Sequence, residues 1–494
     1  MSCWKRVEKL VSKTMKSKNA DIILERSDIQ GILLTSYSKL PYAAYVLVRF
    51  NATKSAKEWL SEVAKRCTPA DVDSDVEALN IALTYSGLLA LELDQSIADS
   101  FSHPFIEGMI TERRSRILGD TYENNPKFWT WGTAQNPVHA LIMQFANTQS
   151  LLQEKLEEGN RLSKKYEISN AATIIATKTE SDYRKEHFGF VDGIGQPVIK
   201  GSDLRTNQLK RTGHATEIET GDFILGYDDQ YGSYAHGPIV PKEHDPRVVL
   251  PKLSLKAATI VDNTKFHDLG RNGSYLVFRQ LAQDVAKFWQ YMDDAQKLSP
   301  NRIPSPEWLA SRFVGRCPNG QSLMLNDMTN AKEETDTRND FGYRQDERGT
   351  KCPFGAHVRR ANPRDSLGPN AEQSLLSANR HRILRRGRSY GEPIANNRVD
   401  DKKPRGLNFI CINADIERQF EFVQQTWIGN PVLNGLFDEV DPLTGSQNAE
   451  GGTFSIPTED VRIRVKGIPQ FVTVKGGAYF FLPGIRALKF LAGM

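Results

Sequence analysis

The residues best suited to chemistry gather in a few short segments of this 494-residue chain. GFVDGIGQP (189–197) sets one acid, Asp192, among three glycines and a proline. Glycine admits tight turns and close approach of backbone to a ligand, and a carboxylate on such a loop is placed for proton transfer. An ordinary Asp-Gly turn is the plainer reading. In CPFGAHVRRANPRDS (352–366), His357 is followed by Arg359, Arg360 and Arg364. NRHRILRRGRSYG (379–391) adds Arg382, Arg385, Arg386 and Arg388. Arginine at this density suits carboxylates or phosphates, with a basic solvated face as the alternative. His187 and His381 flank these segments. His103, His139, His214, His236, His244 and His267 show no clustering of ligand types, and no H-E-x-x-H spacing occurs. The residues alone give an acid-bearing glycine loop, a lone histidine and an arginine cluster, without specifying a cofactor.

The elements that must position them alternate between strand and helix. PYAAYVLVRF (41–50) is β-rich and runs into KSAKEWLSEVAKR (54–66), which has helical spacing. ALNIALTYSGLLAL (78–91) holds a strand turning into a helix at Ser86–Gly87. VHALIMQFA (138–146) precedes the helical SLLQEKLEEGNRLSKKY. The same grammar returns in SYLVFRQL (274–281) with AQDVAKFWQYMDDA, and in LNFICIN (407–413) with DIERQFEFVQQTW. QFVTVKGGAYFFLPG (470–484) reads as a hairpin turning at Gly476 and Gly477. The pattern fits a parallel sheet or two α+β units with antiparallel sheets. HGPIVPKEHDP, near 235–250, is a plausible boundary. The charged, apolar-poor stretch at about 325–350 reads as a long surface loop.

Composition narrows the class. Hydrophobic residues make up 39% and charged residues 25%, a balance that suits a globular protein of two or more domains. A net charge of +4 is too small and dispersed to argue for nucleic acid. No apolar run is long enough for a membrane helix. The basic N-terminus reads as a short amphipathic helix or a ragged tail and lacks the apolar core of a secretion signal, so a cytoplasmic protein is expected. The five cysteines form neither a zinc spacing nor a disulfide framework. Without a C-x-x-C-H motif, any haem would be held non-covalently.

Several segments together resemble the dye-decolorising (DyP-type) haem peroxidases. GFVDG (189–193) is similar to their G-x-x-D-G signature, HVRRANPR (357–364) to the proximal-histidine segment and ILRRGRSYG (383–391) to the distal-arginine segment. DIQGILL (28–34), GDFILGY (221–227), GSYLVFRQL (273–281), GLNF (406–409) and GGAYFFLPG (476–484) also match, in family order and over most of the chain. RSYG lacks a proline seen in some relatives, a difference that bears on loop stiffness.

The resemblance implies an α+β fold: two ferredoxin-like domains with antiparallel sheets and peripheral helices, of the dimeric α+β barrel-like superfamily. Residues 1–240 would form the N-terminal domain, with the acid-bearing loop, and 241–494 the haem-binding domain. It implies one non-covalent haem b per chain, hydrogen peroxide as oxidant and an organic donor such as a dye or phenol, and it leaves room for a homo-oligomer. His357 would bind iron. Asp192 would act as distal acid-base and Arg385 as electrostatic stabiliser, with a propionate contact as a second role. Leu407 and Phe409 would line the distal cavity. Asp415, or less well Glu417, would accept the second N–H of His357, fixing its tautomer and increasing its electron donation. Large donors would need electron transfer through tyrosine or tryptophan. Tyr390, Trp427 and Tyr479 are candidates, although packed aromatics are the more ordinary reading. A haem carrier or iron-removal protein, and a cargo-type role in a larger assembly, are the competing classes. Intact Asp192 and Arg385 favour the peroxidase.

Overall fold

The computed structural model describes residues 22–177, 185–254, 262–325 and 335–494. The N-terminal basic stretch, Cys3 and residues 326–334 of the charged segment lie outside the described residues.

Two strand sets with the same βαββαβ order build the molecule. The first comprises β1 (Tyr42–Arg49), α1 (Thr53–Arg66), β2 (Glu77–Leu83), β3 (Ala140–Ala146), α2 (Gln149–Lys165) and β4 (Ser169–Thr177). The second comprises β5 (Ser274–Gln283), α3 (Val285–Leu298), the short β6 (Leu384–Arg385) and β7 (Arg388–Tyr390), β8 (Gly406–Asn413) and β9 (Val472–Leu482). In place of its second α-helix stand the wide π-helical turns Glu417–Glu421 and Val423–Ile428.

The strand order is β6-β8-β5-β9-β2-β3-β1-β4, with β7 also on β8. Within each set the order is 2-3-1-4 and the pairing antiparallel, which is the ferredoxin-like arrangement. The sets join through a single register pair, Phe481 with Leu83, and the sheet does not close into a barrel. Residues 185–254, with the Asp192 loop, belong to neither strand set.

Period-2 alternation decides which side chains meet. Tyr45, Phe145, Leu276, Phe278, Ile410, Ile412 and Phe480 turn into one apolar interior shared by the two strand sets. Helices cover the opposite faces. In α1 the buried positions Ala56, Trp59, Leu60, Val63 and Ala64 follow helical spacing and pack with Leu488 and Leu491 of the C-terminal helix. Each fully buried large apolar side chain contributes roughly 1.5–3 kcal/mol.

Two expectations are corrected here. QFVTVKGGAYFFLPG is one continuous strand, not a hairpin. Its register on β5 slips between Val474 and Gly476, and the Trp131 indole lies so close to Gly476 that a Cβ would not fit. The glycine serves close packing rather than a turn. The described part of the charged segment, 335–350, is also not simply a surface loop. Tyr343 and Asp346 are buried because the Asp346 carboxylate pairs with buried Arg359 at 2.9 Å and accepts the amides of Lys351 and Cys352. Cys67, Cys317, Cys352 and Cys411 are buried and form no disulfide.

Candidate active site

Asp192 sits on a loop whose shape depends on Gly189 and Gly193, at φ +98° and +77°. Side chains larger than glycine rarely adopt such angles. The loop is pinned to the arginine segment twice. Arg382 donates to the Gly195 carbonyl at 2.7 Å, and the Arg385 amide donates to the Gln196 side chain at 3.0 Å. This brings Arg385 Nη1 within 3.2 Å of Asp192 Oδ1, across 193 residues of chain.

Strand geometry aligns the neighbours. Arg385 pairs with Cys411 across β6 and β8, and Cys411, Phe409 and Leu407 alternate along β8 onto one face. Ile410 and Ile412 turn the other way, into the shared interior. Asp192, Arg385 and Leu407 border a cavity of about 1260 Å³, together with Glu186, His187 and Arg211. Phe409 packs towards Phe420, their rings 6.1 Å apart. Desolvation by the surrounding loop opposes the charge on Asp192, but Arg385, the Gly193 amide and His357 outweigh it and hold its carboxyl below the usual carboxylate value.

His357 opens the short helix His357–Ala361. Its Nδ1–H donates to Asp441 Oδ2 at 2.9 Å. Asp441 is wholly buried, and its Oδ1 accepts the amides of Leu443 and Thr444 and the Thr444 hydroxyl. Burial disfavours both charges of the pair, yet each partner favours the other's, so His357 is raised and Asp441 lowered. Arg360 braces the segment by donating to the carbonyls of Trp427, Asn430 and Glu439.

The carboxylate expected beside His357 is therefore corrected. Asp415 does not reach the histidine. It accepts the Arg418 amide at 3.0 Å and pairs with the Arg418 side chain, because it opens the turn that begins at Ile416. Glu417 is exposed. Asp441 lies in an Asp-Pro-Leu-Thr-Gly turn 84 residues after His357. Its sequence signal was that of an acid accepting its own downstream amides, with nothing to name the distant partner. Tyr390, Trp427 and Tyr479 are all buried, and the Tyr479 hydroxyl donates to Glu421 at 2.7 Å. None of these is a surface aromatic.

No protein-family model matches the chain. A dye-decolorizing peroxidase of Mycena epipterygia is 28% identical over 460 residues, covering 84% of this chain and 76% of the relative. The multifunctional dye peroxidase DyP2 of an Amycolatopsis species is 32% identical over 319 residues, covering 62% of this chain and 61% of the relative. The crystal structure of an Anabaena DyP-type peroxidase superposes with a TM-score of 0.75 at 23% identity, over 97% of this chain and 99% of that one, which shows the shared fold. Over most of its length the chain is similar to the dye-decolorising peroxidases, a family of oxidoreductases. The family implies a haem cofactor, a peroxide and a reducing substrate. No described helix is long and apolar enough to cross a membrane.

The residues present fit a haem. With Nδ1 committed to Asp441, His357 keeps Nε2 for a metal, and 29% of its side chain remains accessible. Arg382 is crowded by burial, Arg364 and Arg385, which push its guanidinium down to about 9. Such concentrated positive charge suits the carboxylates of a propionate-bearing ligand.

Proposed function

We propose that this chain is a haem b peroxidase, binding one non-covalent haem and using hydrogen peroxide to oxidise dyes, phenols or other organic donors. His357 would hold the iron through Nε2, with Asp441 orienting its ring and increasing its electron donation. When bound, the haem supplies the redox-active iron at which peroxide is cleaved. Asp192 would accept a proton from hydrogen peroxide at its carboxylate and deliver it to the leaving oxygen. Arg385 would stabilise negative charge developing on the peroxide oxygens, and its guanidinium favours the ionised form of Asp192. Leu407 supplies an apolar wall to the cavity, and Phe409 backs the same face of β8 against Phe420.

The observation that carries this reading is the 3.2 Å pair between Arg385 and Asp192 at the edge of the cavity. A haem carrier has no need for an ionised acid poised beside a fixed cation. The testing experiment is an absorption spectrum of the purified protein before and after one equivalent of hydrogen peroxide. A ferric histidine-ligated haem band that changes on mixing supports the peroxidase. A band that does not respond favours the carrier or iron-removal reading, and no band after incubation with haemin overturns both.

A further inference from the structure

We propose that Glu186 is a positioning residue for Asp192: its carboxyl group clasps the loop that carries that acid and ties it to the second strand set. The proposal rests on the reading of Asp192 as the proton-transfer acid. Glu186 lies six residues upstream and borders the same cavity. Its Oε1 accepts the Phe190 amide at 2.9 Å, and its Oε2 accepts the Phe188 amide at 2.9 Å and Gln283 Nε2 at 2.6 Å. The backbone closes the same knot. The Glu186 amide donates to the Phe190 carbonyl at 3.0 Å, the Gly189 amide to the Glu186 carbonyl at 2.8 Å, and Lys185 bridges Val191. The knot ends one residue before Asp192.

The anchor is rigid. Gln283 ends β5, is paired with Val472 of β9, and donates its amide to the Arg405 carbonyl. Phe188 stacks on Phe288 of α3 with centroids 4.4 Å apart, and Trp289 Nε1 donates to the Phe188 carbonyl. One carboxyl group thus joins two loop amides to the end of a central strand. Removing it would strand those donors, so the loop would have to open to water.

The clasp is also sensitive to protons. Burial and the charge of Asp192 push Glu186 up to about 7, although its three donors oppose this. The protonated form has a partner within reach, because Gln283 Oε1 is buried without a hydrogen bond and can accept from a Glu186 hydroxyl once that amide turns over. The charged and titratable groups on the packed elements include Lys185, His187 and Asp192 on the loop, Asp284 at the start of α3, and Arg405. His187 Nε2 donates to the Tyr390 carbonyl, Asp284 caps α3 through the Lys287 amide, and Arg405 pairs with Asp401. An opened loop would return Glu186 to an ordinary carboxylate value, below that of the closed loop. The closed loop is therefore favoured at low pH, and its advantage fades as pH rises towards about 7.

The experiment follows hydrogen exchange of residues 185–193 in the haem-loaded protein between about pH 5 and about pH 8, corrected for intrinsic rates. Stopped-flow rates of the peroxide-induced haem absorbance change are measured alongside. Glu186→Ala is expected to raise loop exchange about tenfold or more and to slow the peroxide reaction, with haem content unchanged. Glu186→Gln, which keeps one acceptor oxygen but turns an NH2 towards the other loop amide, is expected to raise exchange and slow the peroxide reaction less than Glu186→Ala, and to flatten the pH dependence of exchange. Unchanged loop exchange in Glu186→Ala overturns the clasp. Raised exchange with an unchanged peroxide rate overturns the positioning role, provided that Asp192→Asn slows that rate. If Asp192→Asn leaves the rate unchanged, the reading of Asp192 fails instead, while the exchange data still decide the clasp.

Discussion

His357 and Asp192 reach the site from segments built in opposite ways. On the histidine side, Asp441 is fully buried and satisfied by two amides, a hydroxyl and the imidazole, with Arg360 bracing the chain around it. On the acid side, Asp192 keeps 49% of its side chain accessible, and it meets Arg385 and the Gly193 amide. A ligand must hold one geometry through every cycle, which favours a buried, over-determined partner. An acid that exchanges protons with a small substrate must stay reachable, which favours a loop open to a cavity.

Variants on each side sharpen or break this contrast. His357→Ala should give the largest effect, near-complete loss of haem on purification. Full haem content with an unaltered spectrum would sink its role as ligand. Asp192→Asn should retain haem yet slow the peroxide reaction by roughly 10²- to 10⁴-fold in stopped-flow mixing. Equal rates in both proteins would remove it as the base.

Arg385→Leu should cost about 10²-fold in the same assay and change the pH profile in a defined direction. Arg385 helps hold Asp192 below the usual carboxylate value, so the native enzyme keeps an ionised acid well into the acidic range. Without the guanidinium, Asp192 protonates at higher pH and the loss deepens as pH falls. A profile that keeps its acid limb in place would show that Arg385 does not tune the acid.

Asp441→Asn should weaken haem retention by roughly 10- to 100-fold in transfer to an acceptor apoprotein, since the histidine loses its charged partner. Asp415→Ala should leave retention unaltered and cost about 1 kcal/mol in thermal unfolding, the worth of a helix-end acceptor. A haem loss in Asp415→Ala equal to that in Asp441→Asn would restore the sequence-based choice.

What the sequence determined by itself was local or short in range. Period-2 runs marked β1, β3, β5 and β8, and helical spacing marked α1 and α2, because each pattern reports which face of its own element is dry. The glycines around Asp192 and the arginines near residue 385 were legible as types in a row. Only the tertiary structure decided who meets whom. The resemblance implied Asp415 as the partner of His357, but the turn beginning at Ile416 captures it through the Arg418 amide. Asp441 reaches His357 across 84 residues through a buried loop that no spacing rule describes. Gly476 and Gly477 read as a turn until Trp131, more than 300 residues earlier, supplied the reason for a missing side chain. Hydrogen bonds and close packing act over a few ångströms in space and are indifferent to distance along the chain, so partners brought together by folding leave no local pattern to read.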